Sequence, residues 1–165
     1  MEPERRKGFA RDSAAFYVWH HCSQIAAECT HTIGYFRNHP DVTNALITAA
    51  GGAIVLGNDS LGLSFTETTA NANAVLTFNT PSPPAPANPP FSNQYQVLCA
   101  QLLAANLNIQ NGAVCPFAEN AISAANAFLA ASPAGGMAGA PALQDALELF
   151  NSGGAPGCPM HCNEV

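Results

Sequence analysis

Beyond residue 11 this sequence contains a single cationic side chain, Arg37. Lysine occurs once, at Lys7, and tryptophan once, at Trp19. Charged residues make up 10% of the chain, against about 25% in ordinary soluble domains. From Asp12 onward nine acids (Asp12, Glu28, Asp41, Asp59, Glu67, Glu119, Asp145, Glu148 and Glu164) face that one base. A body of this sign repels phosphate backbones, so no nucleic-acid partner is expected. No apolar run reaches the about 20 residues that a membrane-crossing helix needs, so no membrane span is expected either. Also missing are a Gly-x-Ser-x-Gly nucleophile elbow, a phosphate-cradling loop and a His-Glu-x-x-His pair.

What the chain does contain is small and apolar. Its 165 residues suit one domain, and 48% of them are hydrophobic. Mean hydropathy is nonetheless only +0.08, because alanine supplies much of that fraction. Helices with alanine faces approach closely but bury little area each, at about 25 cal/mol per Å². Such a core needs staples. Six cysteines are available, Cys22, Cys29, Cys99, Cys115, Cys158 and Cys162. The even count and the scarcity of lysine suit an oxidising compartment and three disulfides, whose pairing is one of about 15. The close pairs 22/29 and 158/162 are expected to reach distant partners and tie both ends of the chain to its middle.

Taken in order, residues 1–11, with Arg5, Arg6, Lys7 and Arg11, read as a disordered basic arm. Residues 1–28 make a poor signal peptide, interrupted by Glu2, Glu4 and Asp12. A removed leader or a misassigned start is expected instead. The rest, 12–165, reads as one helical, disulfide-bonded domain. Asp12 or Ser13 caps a helix over 14–28, with Phe16, Trp19 and Ile25 at helical spacing. Pro40 opens a helix over 41–50 that Gly51-Gly52 ends. Residues 53–56 read as a brief strand or a buried extended run, and 57–59 as a turn. Residues 66–78 read as helical, with Ala70, Ala74 and Phe78 spaced by four. Six prolines then force a surface loop of polyproline II geometry over 80–91. Ser92 caps a helix over 93–109, Pro116 starts one over 117–131, and residues 133–140 form a linker. Pro141 opens a last helix over 142–150, and a cysteine-bearing tail follows. The fold expected is mainly α: a small bundle of four to five short helices with long loops, stapled by disulfides.

The chain is organised around the stretch from Cys29 to Pro40, which packs two histidines, two adjacent aromatics, a glycine and a cysteine together with Arg37. It resembles the opening signature Cys-x-x-Thr-x-Gly-Tyr-[Trp/Phe]-[Lys/Arg]-Asn-His-Pro of a family of cysteine-containing domains from extracellular and cell-wall-associated proteins. The resemblance continues through Gln101–Ile109, Asn111-Gly112-Ala113 and Cys115. It closes with Leu147–Gly153 and His161-Cys162, so that about residues 29–163 are covered. Phe36 stands where that family usually has tryptophan. Leu56 stands where many members have a further cysteine, which implies a rearranged disulfide pattern. The resemblance implies an extracellular module and no particular activity.

The histidines, cysteines and Arg37 are compatible with three kinds of site. Cys158-x-x-x-Cys162 with His161, and with His31 and His39 elsewhere, has passable zinc spacing. With an even cysteine count disulfides are preferred, so no metal or cofactor is expected. Cys–His catalysis needs a spare thiolate, and an even count leaves none. No enzyme is expected. Tyr35, Arg37, Asn38 and His39 form the candidate recognition patch, against a structural reading in which Arg37 pairs with acids or helix carbonyls and Asn38 and His39 satisfy a turn. Asn58 heads an Asn-Asp-Ser glycosylation sequon. The expected role is a non-catalytic, secreted structural or interaction module whose partner is a protein or polysaccharide of the cell surface or matrix. The alternative is a carrier of a lipid or other small apolar ligand, with Ile109, Phe117, Phe128, Leu129 and Phe150 lining a tunnel.

Overall fold

A computed structural model describes residues 29–58, 63–79, 93–131 and 137–163. The basic arm, the helix expected over 14–28, Cys22 and the proline loop lie outside the described residues. Among those described, six helices accompany one two-stranded antiparallel sheet, which bears out a mainly α, disulfide-stapled bundle.

The short helix α1 (Ile33–Asn38) begins where the Thr32 hydroxyl accepts from the Tyr35 amide. This segment is helical because Thr32 caps it and His39 N–H closes it on Tyr35 O. The Thr43 hydroxyl, buried in the next helix, satisfies the Phe36 carbonyl. Helix α2 (Pro40–Ala49) starts on its proline, whose missing N–H costs nothing at a first turn. Gly51 and Gly52, both at positive φ, turn the chain out of it.

Strand β1 (Ile54–Asn58) pairs with β2 (Leu63–Glu67) from Ile54↔Glu67 to Asn58↔Leu63. The helix expected over 66–78 is thus corrected at both ends: its start belongs to β2, and only α3 (Ala72–Leu76) is helical. Side-chain competition is the reason. Asn71 Oδ1 accepts from the Thr68 amide at 2.6 Å, and Asn71 Nδ2 donates to Thr66 O at 3.1 Å. These bonds offer the backbone a turn in place of a helix.

Helix α4 (Asn93–Gln110) is the axis of the molecule. Leu98, Cys99, Leu102, Leu103 and Leu107 on it are fully buried, and so are Ala100, Ala104 and Ala105. It packs against α1, α2, α3 and β1, and against α5 (Pro116–Ala130) and α6 (Ala140–Asn151). Alanine on so many sides lets these neighbours come close, and Phe36, Ile47, Leu147 and Phe150 fill the remaining volume.

Two disulfides join described residues, Cys29–Cys162 and Cys115–Cys158, with separations of 133 and 43. In the chain-entropy model they contribute about 5 and about 4 kcal/mol, each taken alone. Cys99 departs from expectation: it is a free thiol, fully buried. The four bonded cysteines lie outside the helices, whereas Cys99 sits within α4 in the core.

The C-terminal tail crosses over Gly153. A Cβ at that position would stand 2.0 Å from the His161 backbone nitrogen, and its φ is +73°. Gly157, at φ +70°, has nothing within 4 Å of where its Cβ would be. Gly157→Ala is therefore expected to cost about 1 kcal/mol, the left-handed strain alone. Gly153→Ala is expected to cost about 3 kcal/mol or more, because backbone must move. Urea unfolding of the two variants measures the difference.

Candidate functional site

The first described segment and the last one are fastened together at one place. Thr30 N–H donates to Met160 O at 3.0 Å, and Cys162 N–H donates to Thr30 O at 2.9 Å, a parallel bridge flanked by Cys29–Cys162. The next residue, His31, is gripped by α4. Asn108 Oδ1 accepts from His31 N at 2.8 Å, and Asn108 Nδ2 donates to His31 O at 2.9 Å. Asn108 Nδ2 also donates to Asn151 Oδ1 on α6, and Asn151 Nδ2 donates to both Gln101 oxygens. All four residues are buried. Carboxamides carry one donor group and one acceptor each, so such a chain is satisfied without any charge.

On this base stands a column of rings. His31 stacks on Tyr35 with centroids 3.6 Å apart and planes 10° from parallel. Tyr35 in turn meets His39 at 4.3 Å. His161 lies edge-on to His31 at 6.4 Å, and Phe36 edge-on to it at 5.8 Å. His31 is 8% exposed, Tyr35 half-buried and His39 exposed, so the column runs from the core to the surface. Of these three, only Tyr35 is inside α1: His31 precedes the extended N-cap Thr32, where Asn108 holds its backbone, and His39 is the C-cap, one turn beyond Tyr35.

Of the candidate patch, Tyr35 and His39 are in contact. Arg37 and Asn38 are exposed on α1 beside them, but at about 100° per residue Arg37 points roughly 200° away from Tyr35. It sits in the last turn of α1, where a cation meets the carbonyl end of the helix. The sequence reading missed His31 as a member of the column. Asn58, of the sequon, ends β1 at the loop end of the hairpin.

Of the residues expected to line an apolar tunnel, Ile109 lines the groove described below, and the other four do not. Leu129 and Phe150 are in the packed core, with Ile109, Phe117 and Phe128 against it. A separate groove of about 510 Å³ lies between α4, α5 and β1. Ile109 and Ile122 form its apolar part, and Asn106, Glu119, Ser123 and Asn126 its polar part. It shares no residue with the column.

A second cluster is buried where β2 meets α4. Glu67 is fully buried, and neither carboxyl oxygen has a hydrogen-bond partner among the described residues. Burial raises its pKa from 4.5 to about 7. Tyr95 and Cys99 are one helical turn apart on α4. Burial pushes the Tyr95 phenol up, as do the neighbouring Cys99 and Glu67. Burial likewise pushes the Cys99 thiol up, against a lowering hydrogen bond with Tyr95. The free cysteine is therefore held as a thiol, the wrong form for a nucleophile. The alternation Leu63, Phe65, Glu67 is the sequence signal that marks Glu67 as core-facing.

No protein-family model matches the chain, and neither a curated protein nor a solved structure matches it. No described helix is long and apolar enough to cross a membrane.

Glu67 holds its proton more tightly folded than unfolded. Its contribution is therefore complete below pH 4.5 and is lost as pH rises through about 7. The loss expected between pH 4 and pH 8 is about 3 kcal/mol. Urea unfolding across that range is expected to show a decline in wild type that Glu67→Gln lacks. Parallel curves for the two proteins would refute this assignment.

Proposed function

We propose that this chain is a non-catalytic module that acts outside the cytosol, secreted to a cell surface or matrix, and that it recognises a polysaccharide there. One observation carries the reading: the His31–Tyr35–His39 column is anchored in the core and ends on the exposed His39 ring, with Arg37 and Asn38 exposed on the same short helix. Ring faces suit the C–H faces of a sugar, and a carboxamide and a guanidinium suit its hydroxyls. The two disulfides support an oxidising compartment. The resemblance of Cys29–Pro40 to the opening of extracellular cysteine-containing domains points the same way. Asn58 is the proposed glycosylation position if the exporting cell glycosylates.

The site holds no thiolate for nucleophilic work, since its cysteines are bonded to each other.

The test is an array of cell-surface and matrix oligosaccharides probed with three proteins. Wild type is expected to bind a defined glycan class. His39→Ala is expected to bind that class at least tenfold more weakly while its melting temperature stays within about 1 °C, because His39 is exposed. Arg37→Met is expected to weaken binding at unchanged stability. An empty array, or variants that bind like wild type, overturns the proposal. A large loss of melting temperature in Arg37→Met would return Arg37 to a structural role.

A further inference from the structure

The atoms of the clasp form a metal-ligand set once its disulfide is open. Cys29 Sγ, Cys162 Sγ and a ring nitrogen of His31 all lie within 4.8 Å of one another. Tetrahedral zinc with Zn–S of about 2.3 Å and Zn–N of about 2.0 Å needs its donors about 3.5–3.8 Å apart. A bonded sulfur pair must separate to reach that spacing, and the imidazole must move little.

What makes this set different from an ordinary disulfide with a histidine nearby is that contacts other than the S–S bond also hold its residues. The Thr30 bonds to Met160 and Cys162 hold the two cysteine backbones together, with Cα atoms 5.0 Å apart. Asn108 grips both backbone groups of His31, and Tyr35 stacks on its ring and sets its plane. Ligands oriented by packing and hydrogen bonds bind metal with less ordering cost. Cys115–Cys158 has no histidine in such a cluster among the described residues.

We propose that reduction converts this clasp of Cys29 to Cys162 into a zinc site held by Cys29, Cys162 and His31, so that a metal ion fastens the two segments when the disulfide does not. A dithiol supplies two electrons and two protons, gives two cysteine thiols and leaves as its own disulfide. Zinc then displaces both thiol protons to solvent and takes the two thiolates and the neutral imidazole, with a fourth position open to water or to the neighbouring His161. The chain thus has a closed clasp before oxidation as well as after it.

The experiment uses the full chain, reduced with a phosphine that does not compete for metal, with or without one equivalent of zinc chloride. Iodoacetamide alkylation of each cysteine is followed by peptide mapping. Zinc is expected to slow alkylation of Cys29 and Cys162 at least tenfold, to leave Cys115 and Cys158 unchanged, and to leave buried Cys99 unlabelled. His31→Ala is expected to abolish the protection while, in its oxidised form, keeping the wild-type helical circular dichroism. Equal rates at Cys29 and Cys162 with and without zinc would overturn the proposal. Protection that persists in His31→Ala would also overturn it, as would labelling of Cys99 in the zinc-loaded chain, which marks a lost core.

Discussion

Four hydrogen bonds in a row, from the Thr30 amide to Met160, from Cys162 to the Thr30 carbonyl, and two between Asn108 and the backbone of His31, hold this fold closed. They bring the first described residues, the central helix and the last turn of the chain to one point. The Cys29–Cys162 bond makes that meeting covalent over a separation of 133 residues. A lean alanine core offers little area to keep such distant segments together, so cross-links and buried hydrogen bonds supply what apolar burial does not. Gly153 belongs to the same device, because the tail reaches Thr30 only by passing over a residue with no side chain.

The protein manages its interior polarity with carboxamides rather than ions. Asn108, Asn151 and Gln101 link α4, α6 and the segment before α1 with no formal charge, which matches a body almost without cations. A satisfied neutral network escapes the desolvation cost that a buried ion pair carries. Glu67 is the exception. Its carboxyl lies in the core with neither oxygen bonded, beside a phenol and a thiol that are also kept protonated. The core is thus at its most stable with a neutral carboxylic acid inside it.

The ring column grows out of the clasp, and this joins stability to the proposed recognition. His31 is the shared residue: its backbone is held by α4, and its ring forms the inner end of the stack. A surface ring mounted on buried ones loses little freedom when it meets a ligand. The same fixation places the His31 imidazole beside the clasp sulfurs. One short stretch therefore serves fastening, the proposed sugar contact and the proposed metal chemistry.

Local chemistry was legible in the chain itself. Pro40 and Pro116 mark helix starts and Gly51-Gly52 and Gly112 mark ends, each observed as expected, because capping and turn preferences act over a few residues. The mainly α class followed from those signals and from helical periodicity, and the sequence alone drew attention to Cys29–Pro40. Where local rules competed, as over 66–78, periodicity misled, since Asn71 bonding to Thr66 and Thr68 is a choice between two local structures that pairing with β1 resolves. Disulfide partners, the solitary thiol of Cys99, the unbonded carboxyl of Glu67 and the approach of His31 to Cys162 were decided only in three dimensions. Each depends on contacts between residues far apart in the chain, and local preference carries no information about which distant segments meet.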